Sequence, residues 1–146
     1  MATFRASAAG GGSGGTGNRS ATIVPAVNDL FVVFCNVSVN TNTAPTCSDN
    51  NGGTYTLVAS GLYSASANAF SVFVRNQLVP NTTSTVVTVA TGSNTSGSVV
   101  IVALSGMTRV GASAIRQSAK QENQAGSTTP APAFPASALT ANVTLG

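Results

Sequence analysis

Two six-residue runs, Leu30–Cys35 and Val99–Leu104, carry no polar side chain at any position. An amphipathic helix alternates apolar and polar residues with a period near 3.6, and a half-buried strand with a period of two. Short, uninterrupted apolar runs bounded by turn residues instead fit strands covered on both faces. Both runs fall well short of the roughly 18 apolar residues of a membrane-crossing helix. They predict a sheet with these strands in its interior.

The rest of the chain repeats that grammar. Runs rich in Val, Thr, Ile and Phe predict further strands near Ala21–Val24, Leu30–Val39, Thr54–Ala59, Ala69–Asn76, Ser84–Thr91, Ser98–Leu104, Thr108–Ile115 and Ala141–Leu145. Between them, Ser48–Gly53, Val79–Asn81, Gly92–Gly97 and Ser105–Met107 supply the Gly, Asn, Asp and Pro that turns require. Ala112–Gln124 contains helix formers, but Ile115 is its only large apolar residue, so no helical stripe emerges. The expected fold is all-β: an antiparallel sandwich, jelly-roll-like or Ig-like, with extended N- and C-terminal arms. Residues 1–20 form the glycine-rich N-terminal arm in this reading, and residues 21–146 one domain that includes a proline-rich segment at 126–137.

Charge narrows the function. Only Asp29, Asp49 and Glu122 are acidic, histidine is absent, and charged residues make up 6 % of the chain, against about 25 % in ordinary domains. Small uncharged polar side chains, 18 Ser, 19 Thr and 13 Asn, are left to face water. Acid–base, nucleophilic and metal chemistry draw on histidine, paired carboxylates or clustered thiolates, so the expectation is no enzyme, no cofactor and no metal. The five Arg and the single Lys120 are scattered rather than striped, which argues against nucleic acid. No membrane association is expected, and MATFRASAAGGGSGG lacks the apolar core of a secretory signal, so the expectation is either a protein made inside the cell or one whose leader is missing from this sequence.

Individual motifs weigh toward structural roles. In GGGSGGTGNRS, Gly17 is followed by Asn18 and Arg19 where a phosphate-binding loop needs Lys and then Ser or Thr. Asp49, Asn50, Asn51 and Gly52 have the composition of a calcium loop but no bidentate Glu follows, so a turn closed by its own side chains is favoured. Sequons at Asn18, Asn36, Asn81, Asn94 and Asn142 are expected by chance in so Asn- and Thr-rich a chain. Cys35 and Cys47 would face each other across a hairpin, either as a disulfide or as two buried thiols; the sequence leaves both open.

The succession NDLFVVFCNVS, SDNNGGTYTLVAS, FSVFVRNQLVPNTTSTVVTVATG and SVVIVALSGM resembles a β-sandwich domain found in virion proteins of tailed bacteriophages, over about Ile23 to Met107. Among short members, the resemblance is to capsid decoration, or cement, proteins. It implies synthesis in the host cytoplasm, a capsid-exterior location, contact with the major capsid protein lattice, and self-association as a homotrimer. The residues expected to make those contacts lie in the arms: Phe4 and Arg5 at the start, and Phe134 with Pro132 and Pro135 at the end. The alternative is a carbohydrate-binding or adhesive module of a phage tail or cell surface. That reading has few aromatic platforms to use beyond Tyr55 and Tyr63.

Overall fold

The computed structural model describes residues 2–13, 17–39, 44–63 and 67–115. Within them the chain is all-β: β1 (Thr3–Ser13), β2 (Asn18–Ile23), β3 (Leu30–Ser38), β4 (Thr46–Asp49), β5 (Tyr55–Tyr63), β6 (Asn68–Arg75), β7 (Thr85–Ala90) and β8 (Ser96–Ser105). They form a five-stranded sheet of order β1-β8-β3-β6-β5 and a three-stranded sheet of order β2-β7-β4, with every pairing antiparallel.

The core follows from side-chain alternation. Ala21 and Ile23 of β2 and Val87 and Val89 of β7 project from one sheet. They meet Phe31, Val33, Cys35 and Val37 of β3, Phe73 of β6, and Val99 and Ile101 of β8 from the other. Strands β2 and β7 show the strict in–out burial of a sheet wet on one side, whereas β3 is buried at nearly every position from Leu30 to Val37. The two wholly apolar runs therefore occupy interior strands, β3 and β8, as expected. Their opposite faces build a second apolar cluster on the outside of the larger sheet, around Leu30, Val32, Val74 and Leu104.

Three segments differ from the sequence-based expectation. The glycine-rich start is an edge strand where an arm was expected: Thr3 to Ser13 pair along β8, and Ala6 and Ala8 pack against the core. Small side chains let this strand lie close to its neighbours, so its glycines serve proximity. Removing Met1 to Gly17 would consequently delete a strand of the larger sheet. Second, Thr108–Ile115 is not a strand. Gly111 adopts φ +55°, a left-handed conformation, and opens a short 3-10 turn over Gly111–Ala114. Met107, Val110, Ala114 and Ile115 then fold onto the outer apolar cluster. Third, Thr46–Asp49 forms strand β4 where no strand is expected and where Ser48 and Asp49 belong to the expected Ser48–Gly53 turn; its TCSD sequence is too short and polar to carry a period. The expected final strand and the proline-rich segment lie outside the described residues.

Candidate interaction surface

One end of the molecule is organised around Asp29. Its Oδ2 accepts the Ala26 N–H at 2.7 Å, closing the turn that leads into β3, and accepts Arg5 Nε at 2.5 Å. Arg5 also donates to the Val24 carbonyl at 3.2 Å. The turn is tied to the β6–β7 connection by Asn28 N–H to Val79 O and Val79 N–H to Asp29 O, both 2.8 Å. Asn28 takes the left-handed conformation at φ +68°, which Asn tolerates better than most residues. The Asp29 side chain is fully buried and that of Arg5 is 30 % exposed, so the pair fastens the start of β1 to the β2–β3 turn.

Beside this clamp the surface is apolar. Among the described residues the exposed large hydrophobic side chains are Phe4 (60 %), Val24 (63 %), Val27 (52 %) and Val39. Phe4 adjoins Arg5, and Val24 and Val27 flank the turn that Arg5 and Asp29 hold. Single exposed apolar residues are ordinary; these three differ in lying on two segments that the Arg5–Asp29 pair ties together at one end of the molecule. Sequence reasoning singled out Phe4 and Arg5 as partner contacts; the structure leaves Phe4 exposed, ties Arg5 to Asp29, and adds the exposed Val24 and Val27, an apolar pair that flanks Pro25 in a stretch expected to be strand end and turn.

Asp49, the candidate calcium ligand, is fully engaged in protein contacts. Oδ1 accepts the N–H groups of Asn51 at 2.9 Å and Gly53 at 2.8 Å; Oδ2 accepts Tyr55 Oη and Arg75 Nε, each at 2.9 Å. Arg75 Nη1 in turn donates to the carbonyls of Gln77 and Leu78, each at 3.1 Å. Burial works to raise the Asp49 carboxyl, but the hydrogen bonds from Gly53, Arg75 and Tyr55, with the Arg75 charge, outweigh it and hold the group below its ordinary value of 3.8. Burial, with the charge and hydrogen bond of Asp49, pushes the Tyr55 hydroxyl upward against the opposing charge of Arg75. This is a structural knot joining β4 of the small sheet to β5 and β6 of the large one, with a guanidinium where a cation would have to sit. Among the described residues, no three of His, Cys, Asp and Glu come together.

Cys35 and Cys47 sit on opposite sheets, on β3 and β4, and both reach the shared core as free thiols. Burial raises Cys35 to about 11 despite the opposing charge of Arg19, and burial, with Asp49 and Cys35 nearby, raises Cys47 further. Protonated thiols are poor nucleophiles, so neither is expected to react with an aromatic disulfide reagent in the native protein, and both in denaturant. An unreduced mass two hydrogens lighter, with no thiol released on unfolding, would show a bridge instead. A raised thiol value also fixes a sign. The stability that Cys35 gains from being protonated is complete below 9.0 and declines as pH climbs toward about 11. The melting temperature should therefore fall over that interval, and less steeply in Cys35→Ala.

The remaining candidates are distributed elsewhere. Tyr55 belongs to the Asp49 knot; Tyr63 is half-buried at the end of β5. The Asn94 sequon is buried, with its amide donating to Thr91 Oγ1 and Gly92 O, each at 2.9 Å. Pro132, Phe134 and Pro135 lie outside the described residues. Among those residues no helix is long and apolar enough to cross a membrane. No protein-family model, no curated protein and no solved structure matches the chain.

Proposed function

We propose that this chain is a non-enzymatic structural subunit: a jelly-roll-like β-sandwich that decorates and stabilises the outer surface of a phage capsid, acting as a homotrimer on the major capsid protein lattice. The observation that supports this reading is the exposed Phe4, Val24 and Val27 end, held rigid by the buried Asp29 and its Arg5 partner. A rigid apolar patch loses little conformational entropy when it docks, and a lattice multiplies a modest contact through avidity. The scarcity of charge fits a surface made to be covered, since charged gatekeepers are what ordinarily keep β-proteins apart.

Burying Phe4 against a neighbour contributes about 2 kcal/mol, or roughly thirty-fold in affinity per contact. Phe4→Asp is therefore expected to strip the protein from purified capsids, read as copies bound per particle, while its melting temperature stays close to that of the parent. Unchanged occupancy would remove this surface from the binding reaction. The carbohydrate-binding alternative rests on Tyr63, as Tyr55 is committed to Asp49. Glycan-array binding lost in Tyr63→Ala would replace the capsid reading.

A further inference from the structure

The outer face of the five-stranded sheet is apolar over much of its area. Leu30, Val32, Val74 and Leu104 are buried there beneath Met107, Val110, Ala114 and Ile115, the stretch that turns back after β8. Farther along the same strands the face stays apolar but only half-buried. Phe34 pairs with Val100 on one side and Val72 on the other, so these three side chains point the same way, and Val58, at the register irregularity of β5 next to Val72's partner Ala59, packs on the same outer cluster. Thus one half of an apolar sheet face is covered by the start of the segment that follows β8, and that segment reaches Ile115 while still packed on the face.

We infer that the Phe34, Val72, Val58 sector of this face is the docking site of the chain's own residues 116–146. The sequence of that segment suits it. Leu139, Ala141, Val143 and Leu145 alternate with Thr140, Asn142 and Thr144, the pattern of an extended stretch with one apolar side, and Phe134 adds an aromatic anchor. Its charges, Arg116, Lys120 and Glu122, all lie near its beginning, so covering the sheet with the later part desolvates no ion. Reach is not limiting. Residues 117–138 at roughly 3.3 Å each can cross a sheet whose strands are about 4.8 Å apart. A second copy or a foreign protein on this face is the competing occupant, but neither begins tethered to Ile115 and so neither has its high effective concentration.

The test uses the full chain. Thr140→Cys, on the polar side of the alternation, is labelled with a nitroxide in the native state, where the buried Cys35 and half-buried Cys47, both held as protonated thiols, stay unmodified. In the nitrogen-15-labelled protein, the amides of Phe34 and Val72 are expected to lose most of their intensity. Those of β7, in the sheet about 10 Å beyond, should keep theirs. Adding Leu139→Asn and Val143→Asn should restore Phe34 and Val72. A mixture of spin-labelled chain without nitrogen-15 and unlabelled nitrogen-15 chain should show no broadening. Broadening in that mixture would give the face to a second copy, and no selective broadening in the labelled chain would show that the segment does not dock; either result overturns the inference.

Discussion

Arg75→Leu is expected to destabilise the protein by about 3–5 kcal/mol at pH 7, the range seen when one member of a buried ion pair is removed and the other is left behind. The Asp49 side chain is fully buried and that of Arg75 is 4 % exposed. Leucine can fill much of the space, but the carboxylate would keep its charge and lose both the Nε bond and the cation. The carbonyls of Gln77 and Leu78 would also lose their donor. The pH dependence gives a second, independent reading. Because the folded-state carboxyl lies below 3.8, its contribution to wild-type stability is complete above that value and is lost as pH falls through the folded value. The gap between wild type and Arg75→Leu should therefore narrow in acid. Urea titrations at pH 7 and along the acid limb measure both effects; a loss under 1 kcal/mol, or a gap indifferent to pH, would show that the pair does not hold the sheets together.

This knot also shows where the sequence was legible and where it was not. SDNNGG announced a turn, and Asp49 does close one through Asn51 and Gly53. Nothing local announced that Arg75, separated by 26 positions, supplies the other half. That pairing exists because β5 and β6 run side by side and deliver Arg75 beneath the turn. Gly53 records the same crowding: a Cβ there would fall on Asp49 Oδ2 and the Arg75 guanidinium.

Strand content was readable wherever apolar runs or alternation extended over several residues, as in β3, β7 and β8. It failed where tertiary contacts decide. Thr108–Ile115 has Val110 and Ile115 to suggest a strand, yet packing of both onto the outer cluster, with Gly111 in a left-handed conformation, makes a covering turn. The exposed apolar end was half legible. Phe4 stands out in a polar setting, but its grouping with Val24 and Val27 depends on the Arg5–Asp29 clamp, which no spacing rule reveals.

The glycine-rich start was the largest misreading, and Gly10→Val is the substitution that tests its correction. Composition alone reads Gly10, Gly11 and Gly12 as flexibility. In the structure a Cβ on Gly10 would fall on the Ser20 carbonyl oxygen and lie 2.9 Å from its carbon and 3.0 Å from Ala21 Cα. These are backbone atoms of β2, in the opposite sheet, so no side-chain rotation relieves the clash. The glycine is there because β1, at the edge of one sheet, passes hard against β2, at the edge of the other. Valine should cost about 3 kcal/mol, the upper part of the range for overpacking, because relief requires part of β1 to leave β8. Hydrogen exchange should show amides of β1 and the facing positions of β8 opening early, while β3 and β6 keep their protection. Ala9→Ser, at an exposed neighbouring position, should change stability by less than about 0.5 kcal/mol. A Gly10→Val protein as stable as its parent, with β1 still protected, would mean that the strand does not approach β2 and that the glycines do act as a tether.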